Sequence, residues 1–471
     1  MSGDLAAAIR ELVAEDLAAP EAARLLGDDR REFARQQIYV HLDYLAGGLG
    51  DGPLPSGTPD EEERLAKTVL DALFGMGRLQ ALIDDSGIEN IDINGCDRVW
   101  ATFADGSKRM MPAVAASDDE LIDMVRSAAS RFGLSERRFD LARPELDLRL
   151  PDGSRLSAVM AVTERPAVSI RRHRFTDLSL DDLVELGTVD GELASLLAAA
   201  VRSRKNIVVS GAMNSGKTTL LRALAAEIPA RERIVTIEQA FELGLDTAVT
   251  RHPDMVALEA RPANVEGEGL VSVADLVRRA LRMNADRVIV GEVLGDEVLP
   301  MLNAMSQGRS GSMCTIHADS SSSVFRRIAS YAVQSPERIP IEASNLLVAG
   351  AVHFVVHLDS ELHDGQIAAR GLGAGAGWGP EASDDGGWSQ PVTRPLGPPG
   401  DFPPSSSRQR FVSSIREVVD AEGTQVVSNE VFRPGRGRRA VPASPLRAET
   451  LRELVEFGYE PSGSGLFDVL A

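Results

Sequence analysis

The chain has 471 residues, enough for roughly two to four domains of ordinary size. It carries 70 Asp and Glu against 50 Lys and Arg, which gives a formal net charge of -20. That acidity argues weakly against nonspecific binding to nucleic acid, because phosphate binding depends on Lys and Arg. Two cysteines, Cys96 and Cys314, cannot build a disulfide framework or a four-cysteine zinc site, so we expect free thiols in a reducing compartment.

Membrane and targeting signals are missing from the sequence. No run of about 18 apolar residues occurs, which predicts that no helix spans a membrane. The first residues are acidic and lack the basic-then-apolar pattern of a secretion signal. We therefore expect a soluble cytoplasmic protein.

The first part of the chain predicts two regions. Residues 1–60 have apolar residues at helical spacing followed by a Gly- and Pro-rich stretch, which indicates a helical N-terminal extension and a linker. Residues 61–176 mix short strand-like segments with helices, which indicates a small α+β domain. A short capped helix lies in the predicted interdomain linker, 177–190.

From residue 191 to about 435 the pattern changes to alternating helices and strands. The segments NIVVS, RIVTIE, RVIVGEV, SMCTIHA and AVHFVVHLD are short and almost continuously apolar, which is typical of buried strands in a parallel sheet. The predicted fold class is α/β, with a nucleotide-binding core preceded by a small α+β domain. A Gly-, Pro- and Ser-rich insertion at 371–407 is predicted to be disordered, and a C-terminal tail with a basic patch occupies 436–471.

The strongest motif is GAMNSGKT, residues 211–218, which matches the phosphate-binding loop GxxxxGK[ST] between a predicted strand and a predicted helix. Gly211 and Gly216 let the backbone bend close to phosphates, and the helix N-terminus adds partial positive charge. Lys217 would reach the β- and γ-phosphates, and the Thr218 hydroxyl would ligate Mg²⁺. The predicted cofactors are ATP and Mg²⁺, and the predicted nucleotide-binding residues of this motif are Gly211, Asn214, Ser215, Gly216, Lys217, Thr218 and Thr219.

Three polar residues each stand at the end of a predicted strand: Glu238, Glu292 and His317. Ligands of an open α/β sheet bind beyond the carboxyl ends of its strands, so these side chains should converge on the phosphate side. A carboxylate there can orient water or bind Mg²⁺, and a histidine can sense the γ-phosphate. A single strand-end Glu is more often a solvated loop residue, but together with Lys217 the three predict a catalytic set.

The ordered segments TIE…EL, LRMNADRVIVGEVLG and GSMCTIHADS behind the P-loop resemble the secretion ATPases of type II and type IV secretion and of type IV pili. Within that family the chain is most similar to the CpaF-like ATPases of tight-adherence (Tad) pili, over roughly residues 60 to 435. The resemblance implies a RecA-like ATPase domain, a homo-hexameric ring, and ATP bound between the two domains. It also implies peripheral association with the inner face of the cell membrane and an inner-membrane platform protein as partner.

The resemblance assigns roles to residues of four family motifs: Lys217 and Thr218 of Walker A, Glu292 of Walker B, Glu238 and Glu242 of the Asp box, and His317 of the His box. Arg155 and Arg171 fall near arginines that reach the nucleotide phosphates from the N-terminal domain. The alternative for these two is a pair of surface arginines on a hairpin.

The sequence departs from the family pattern at a few positions. Gln239 stands where the Asp box usually has a second acid, and Leu294 replaces an arginine after Walker B. The 371–407 insertion splits what should be a short hairpin. Two distant cysteines cannot supply the four-cysteine zinc module of many relatives, which predicts no zinc and favours the Tad and type IV secretion branch.

These observations predict an ATP-hydrolysing motor for assembly of a Tad or type IV-like pilus or of a type II/IV secretion machine. One alternative is a RecA-like motor of a DNA-transfer (conjugative) type IV system, although the acidity makes nucleic acid an unfavourable partner. The other is a nucleotide-sensing scaffold with weak hydrolysis, motivated by Gln239 and Leu294.

Overall fold

The computed structural model describes residues 2–46, 58–103, 106–132, 138–172, 178–248, 250–263, 267–306, 310–363 and 407–461. They form two compact units, the first ending at Arg172. The predicted insertion at 371–407 lies outside the described residues except for Ser407, which is the first residue of a strand. Most of the predicted linker before residue 58 also lies outside them.

Three helices begin the first unit: α1 (Ser2–Ala18), α2 (Gly27–Ala46) and α3 (Pro59–Phe74). Ile9 of α1, Ile38 of α2 and Val69 of α3 are buried in one apolar cluster. A capping box of Thr58 and Glu61 starts α3, and the Glu61 carboxylate accepts a hydrogen bond from the Thr58 amide at 2.9 Å. The first helix after the Gly- and Pro-rich stretch therefore packs with the two helices that precede it.

The rest of the first unit is an antiparallel sheet with the strand order β3-β2-β1-β6-β5-β4. Its elements are α4 (Gln80–Asp84), β1 (Ile88–Asn94), β2 (Val99–Phe103), β3 (Lys108–Met111), α5 (Asp118–Phe132), β4 (Glu145–Arg149), β5 (Arg155–Val159) and β6 (Ala167–Arg171). In β5, Leu156 and Ala158 are buried while Ser157 between them is exposed. This period of two puts one face of the sheet on the core.

The second unit alternates helices and strands as the sequence predicts. Its elements are α6 (Leu180–Glu185), α7 (Gly191–Arg202), β7 (Ile207–Gly211), α8 (Lys217–Ala226), β8 (Ile234–Glu238), β9 (Met255–Glu259), α9 (Val273–Ala280), β10 (Arg287–Val293), α10 (Val298–Ser306), β11 (Met313–His317), α11 (Ser323–Gln334), α12 (Ile341–Ala351), β12 (Phe354–His363), β13 (Ser407–Glu422), β14 (Gln425–Pro434), β15 (Ala440–Pro442) and α13 (Ala448–Glu456). Short 3₁₀ turns lie at Ala22–Arg24, Gly77–Leu79 and Leu245–Thr247.

The sheet of the second unit has the strand order β15-β14-β13-β12-β7-β11-β10-β8-β9. Neighbours from β12 to β9 are parallel, and those from β12 to β15 are antiparallel. Along β7, Ile207 and Val209 belong to one apolar cluster and Val208 to another, so both faces of this strand are covered. The carboxyl end of β7 lies between its parallel neighbours β12 and β11.

Residues 178–190, assigned by the sequence to an interdomain linker, contribute to the core of the second unit. Leu180 and Leu183 of α6 are buried in its larger apolar cluster. Ser179 caps α6 by accepting a hydrogen bond from the Asp182 amide at 3.2 Å, as the pattern predicts. Within the described ranges, no helix combines the length and apolarity required to cross a membrane.

Candidate active site

The P-loop connects the end of β7 at Gly211 to the start of α8 at Lys217. A Cβ atom on Gly211 would lie 2.4 Å from Ser215 Oγ and 2.6 Å from the Leu358 carbonyl oxygen. Gly216 has a φ of +96°, a left-handed conformation that favours glycine. Both glycines of the motif are therefore required by the backbone of the loop itself.

The interior of the P-loop contains a polar group that fits a phosphate ligand. Ser215 is 1% exposed, and its buried Oγ has no hydrogen-bond partner among the described residues. An unsatisfied buried hydroxyl is unfavourable, so a ligand that accepts a hydrogen bond in the loop would stabilise it. Thr218 and Thr219 of α8 are half-buried beside it. The residues present therefore fit a nucleotide phosphate, with the Thr218 hydroxyl available as one ligand of an accompanying Mg²⁺.

Three of the four predicted catalytic residues form one continuous chain of polar contacts. Lys217 Nζ donates to the carbonyl oxygens of Ala212 at 3.0 Å and Gly211 at 3.3 Å, and lies 3.2 Å from His317 Nδ1. His317 Nε2 lies 2.6 Å from Glu292 Oε1. Because an ammonium group has only donors, Nδ1 accepts from Lys217, which places the ring proton of a neutral imidazole on Nε2, the nitrogen beside Glu292.

An irregularity in β10 directs Glu292 toward His317. β10 and β11 pair regularly through Val290 and Cys314, but the next pair is Val293 with Ile316, so β10 has one extra residue there. Such a bulge turns the strand and re-aims a side chain. The Thr315 hydroxyl of β11 donates to the Gly291 carbonyl oxygen at 2.7 Å and ties the bulge to the neighbouring strand.

Glu238 ends β8 and is 4% exposed, and its carboxylate accepts hydrogen bonds from the following loop. Its Oε1 accepts from the amides of Glu242 at 2.8 Å and Leu243 at 2.7 Å. Arg222 of α8 donates to the carbonyl oxygens of the same two residues, at 2.8 Å for Leu243. Glu238 and Arg222 therefore hold this loop from two sides, and Gln239 at its start is exposed.

Gly291 makes room for Glu238. A Cβ on Gly291 would lie 3.0 Å from Glu238 Cγ. The stem of Glu238 thus packs against the bulge of β10, one residue before Glu292. Glu292 follows Gly291 on β10, and its carboxylate contacts His317.

Arg155 and Arg171 lie directly opposite one another on β5 and β6 in the first unit. Like charges directly opposite in an antiparallel pair are unfavourable, and Arg155 is partly compensated by Asp147 at 3.4 Å. Their role at a nucleotide stays a prediction.

The sequence did not predict Arg410 of β13, which contacts the P-loop. Its Nε donates to the Asn214 carbonyl oxygen at 3.0 Å. Asn214 itself has a φ of +61°, a conformation that asparagine tolerates. Arg410 is 196 residues away along the chain and belongs to no P-loop motif, so no local signal indicated this contact.

Two histidines lie beside the P-loop strand, the half-buried His353 just before β12 and the buried His357 on it. Nδ1 of His357 lies 2.9 Å from the Ser210 hydroxyl, and burial lowers the pKa of His357. His353 Nδ1 accepts from the Asn206 amide at 3.0 Å, and burial lowers the pKa of His353 to about 4. Both are therefore neutral at neutral pH and support the strands rather than adding charge.

The chain is similar to several known proteins. The family model described as type II/IV secretion system protein matches residues 74–385. A putative conjugal transfer protein of Mycobacterium tuberculosis is 36% identical over 296 residues, covering 61% of this chain and 80% of that protein. The type IV secretion system protein VirB11 of Brucella suis is 30% identical over 337 residues, covering 64% of this chain and 90% of that protein.

Two further matches agree with these. The type IV secretion system protein PtlH of Bordetella pertussis is 31% identical over 320 residues, covering 62% of this chain and 91% of that protein. A crystal structure of the VirB11 ATPase from the Brucella suis type IV secretion system, in complex with sulphate, matches with 29% identity and a TM-score of 0.33. It covers 64% of this chain and 94% of that one.

The family match spans most of both sheets and includes the P-loop, Glu292 and His317. It confirms the predicted α/β fold class, a RecA-like P-loop core preceded by a small α+β domain, and the prediction of a nucleotide-binding ATPase. The chain belongs to the type II/IV secretion ATPase family.

Proposed function

We propose that this protein is a CpaF-like motor that hydrolyses ATP to power assembly of a Tad or type IV-like pilus or of a type II/IV secretion machine. It would act as a homo-hexamer at the inner face of the cell membrane, with an inner-membrane platform protein as partner. The observation that carries the proposal is the chain of polar contacts from Lys217 through His317 to Glu292. These contacts link the phosphate-binding lysine to a carboxylate that can orient a water molecule and accept its proton.

Lys217 would bind the β- and γ-phosphates. Its ammonium now contacts two P-loop carbonyl oxygens and His317, and phosphate oxygens of ATP would replace these partners. Bound Mg²⁺, held in part by Thr218, would supply positive charge against the phosphate oxygens. Such an exchange would free Nδ1 of His317 at the moment when a nucleotide occupies the loop.

Glu292 would orient the attacking water and accept its proton. The carboxylate is half-buried, and its Oε1 lies 2.6 Å from His317 Nε2. Because His317 touches both Lys217 and Glu292, a change at the γ-phosphate would be transmitted to the carboxylate. This arrangement supports coupling of hydrolysis to nucleotide state, which a motor requires.

Arg155 and Arg171 would bring further positive charge to the phosphates. Their opposed positions on β5 and β6 create a local charge repulsion that an anion between them would relieve. This supports the role that the family resemblance implies for the two arginines.

A second candidate is a motor of a DNA-transfer system. The similarity to a putative conjugal transfer protein of Mycobacterium tuberculosis favours it. Strong stimulation of ATP hydrolysis by DNA, with a steep salt dependence, would support this candidate over pilus assembly.

The central test is Lys217→Ala, measured as phosphate release by the purified protein and as pilus or secretion output in cells. We expect hydrolysis to fall by roughly two orders of magnitude or more and output to be lost, because the principal phosphate-binding cation is removed. Lys108→Ala removes an equivalent charge from the exposed strand β3 and should leave both unchanged. Full hydrolysis and full output in Lys217→Ala would contradict the proposal.

A further inference from the structure

The strands on the two sides of β7 carry different groups at the nucleotide edge. On one side, β11 and β10 carry His317 and Glu292, which face the γ-phosphate in the proposed mechanism. We call this the hydrolysis side. On the other side lie β12 and β13, with Arg410 on β13. A nucleotide bound with its γ-phosphate toward the hydrolysis side would extend its opposite end, the nucleoside, toward β12 and β13.

Arg410 lies along the outer rim of the P-loop. Its Nε donates to the Asn214 carbonyl oxygen at 3.0 Å, and its Cδ lies 3.2 Å from the place that a Cβ on Gly216 would take. Any side chain at residue 216 would therefore press against Arg410. The contact anchors the planar guanidinium next to the turn that leads into α8.

The strand ends around Arg410 are organised by two more arginines. Arg438 pairs with Asp359 of β12, and Arg439 lies over the Phe411 ring at 5.0 Å and donates to the Gly187 carbonyl oxygen at 2.6 Å. Both hold the ends of β12 and β13 in place. The position of Arg410 is therefore defined by packed strands as well as by its bond to the P-loop.

We propose that Arg410 is a nucleoside-binding residue, whose guanidinium contacts the ribose and base of ATP or ADP bound in the P-loop. A planar guanidinium stacks on aromatic rings and donates hydrogen bonds in the same plane, which suits a ribose and base. The inference rests on the proposed ATPase function and names a residue beyond the P-loop motif for it.

Ligands with and without a nucleoside distinguish a nucleoside contact of Arg410 from a phosphate contact or a purely structural role at the P-loop. The nucleoside is common to ATP and ADP and is absent from inorganic tripolyphosphate. Removal of a nucleoside contact must therefore lower the affinities for ATP and ADP by similar factors and leave the affinity for tripolyphosphate unchanged. Removal of a phosphate contact, or of a contact that stabilises the P-loop, must lower the affinities for ATP, ADP and tripolyphosphate alike.

The experiment compares Arg410→Ala, Arg410→Lys and Arg433→Ala in the full-length protein, with folding checked by thermal unfolding. Binding of ATP and ADP is measured by titration, tripolyphosphate by competition, and hydrolysis by steady-state kinetics. We expect Arg410→Ala to lower the affinity for ATP and the affinity for ADP about tenfold each. The substitution should also raise KM more than it lowers kcat. Arg410→Lys should have a smaller effect because it keeps the charge but loses the planar group.

Tripolyphosphate should compete equally well in the wild type and in both Arg410 variants. Arg433→Ala, which removes an exposed charge from β14, should match the wild type throughout. The inference would be overturned if Arg410→Ala lowered the affinity for tripolyphosphate as much as the affinities for ATP and ADP. Unchanged affinities for ATP and ADP in this variant would overturn it as well. A wild-type protein that binds neither nucleotide would instead contradict the proposed function.

Discussion

The two sides of the P-loop strand β7 are built in different ways. The hydrolysis side consists of parallel strands whose carboxyl ends carry His317 and Glu292, and both residues belong to recognisable sequence motifs. The opposite side consists of β12 and the antiparallel strand β13, which brings Arg410 to the P-loop from 196 residues away. Chemistry at the ends of parallel strands can be anticipated from motif order, whereas a contact made by a returning antiparallel strand cannot.

The largest expected difference between the two sides comes from Glu292→Gln. The amide keeps the shape of the side chain but cannot accept a proton from water, so we expect kcat to fall about 10²–10⁴-fold. Binding of ADP should be retained, which is the reverse of the effect expected for Arg410→Ala. Phosphate release and ADP titration measure the two effects.

Asp296→Asn provides the matched control for this variant. Asp296 is an exposed carboxylate in the loop that follows Glu292, and its amide variant should hydrolyse ATP like the wild type. Normal turnover in Glu292→Gln would remove this residue from its proposed role.

A smaller effect is expected from Gly291→Ala, which probes the bulge that aims Glu292. The added methyl would lie 3.0 Å from Glu238 Cγ, so either the bulge or Glu238 must move. We expect a loss of about 1–3 kcal/mol in the free energy of unfolding, together with slower hydrolysis. Urea unfolding and phosphate release are the measurements.

Gly350→Ala is the same substitution in an open position. A Cβ at Gly350 in α12 meets nothing within 4 Å among the described residues. Helix propensity predicts a gain of about 0.5–1 kcal/mol there. If Gly291→Ala and Gly350→Ala had the same stability and the same rate of hydrolysis, the packing of Glu238 against the bulge would contribute nothing to the hydrolysis side.

The smallest effect is expected from Thr315→Val, which removes the hydrogen bond to the Gly291 carbonyl oxygen at the bulge. The side chains have the same shape, so the loss should be about 1 kcal/mol in the free energy of unfolding. Thr236 on β8 is fully buried, and its hydroxyl has no hydrogen-bond partner in the described parts of the chain.

Thr236→Val should therefore be neutral or stabilising, because it replaces an unsatisfied hydroxyl with a methyl group. Chemical denaturation of the two variants gives the comparison directly. A destabilisation of equal size in both would mean that the Thr315 bond contributes nothing specific to the bulge.

Much of the second unit could be predicted from its sequence because buried parallel strands read as short apolar runs. The five strands expected from such runs are present as β7, β8, β10, β11 and β12. β9 was missed, and it is an edge strand whose residues are all only half-buried, so its sequence lacks that signal. The predicted linker, 177–190, includes Leu180 and Leu183, which pack in the main core of the second unit. Two leucines in a short segment give too little apolar pattern to indicate that packing.

The candidate site also combines residues whose placement the sequence predicted with one whose contacts it did not predict. The convergence of Lys217, His317 and Glu292 followed from strand-end positions, because the carboxyl ends of parallel strands meet at one edge. The use of Glu238 to hold the backbone of the next loop did not follow from its motif. A motif specifies which residue ends a strand, but the hydrogen-bond donors that surround a buried carboxylate come from the folded loop.

The sequence alone therefore determined the phosphate loop, the parallel strands and the identity of the groups at their ends, because these depend on local periodicity and spacing. Only the tertiary structure decided how those groups are aimed. The bulge at Gly291 turns Glu292 to His317, and β13 returns to set Arg410 on the rim of the P-loop. Both depend on pairing between strands that are distant in the chain, and no local pattern encodes that pairing.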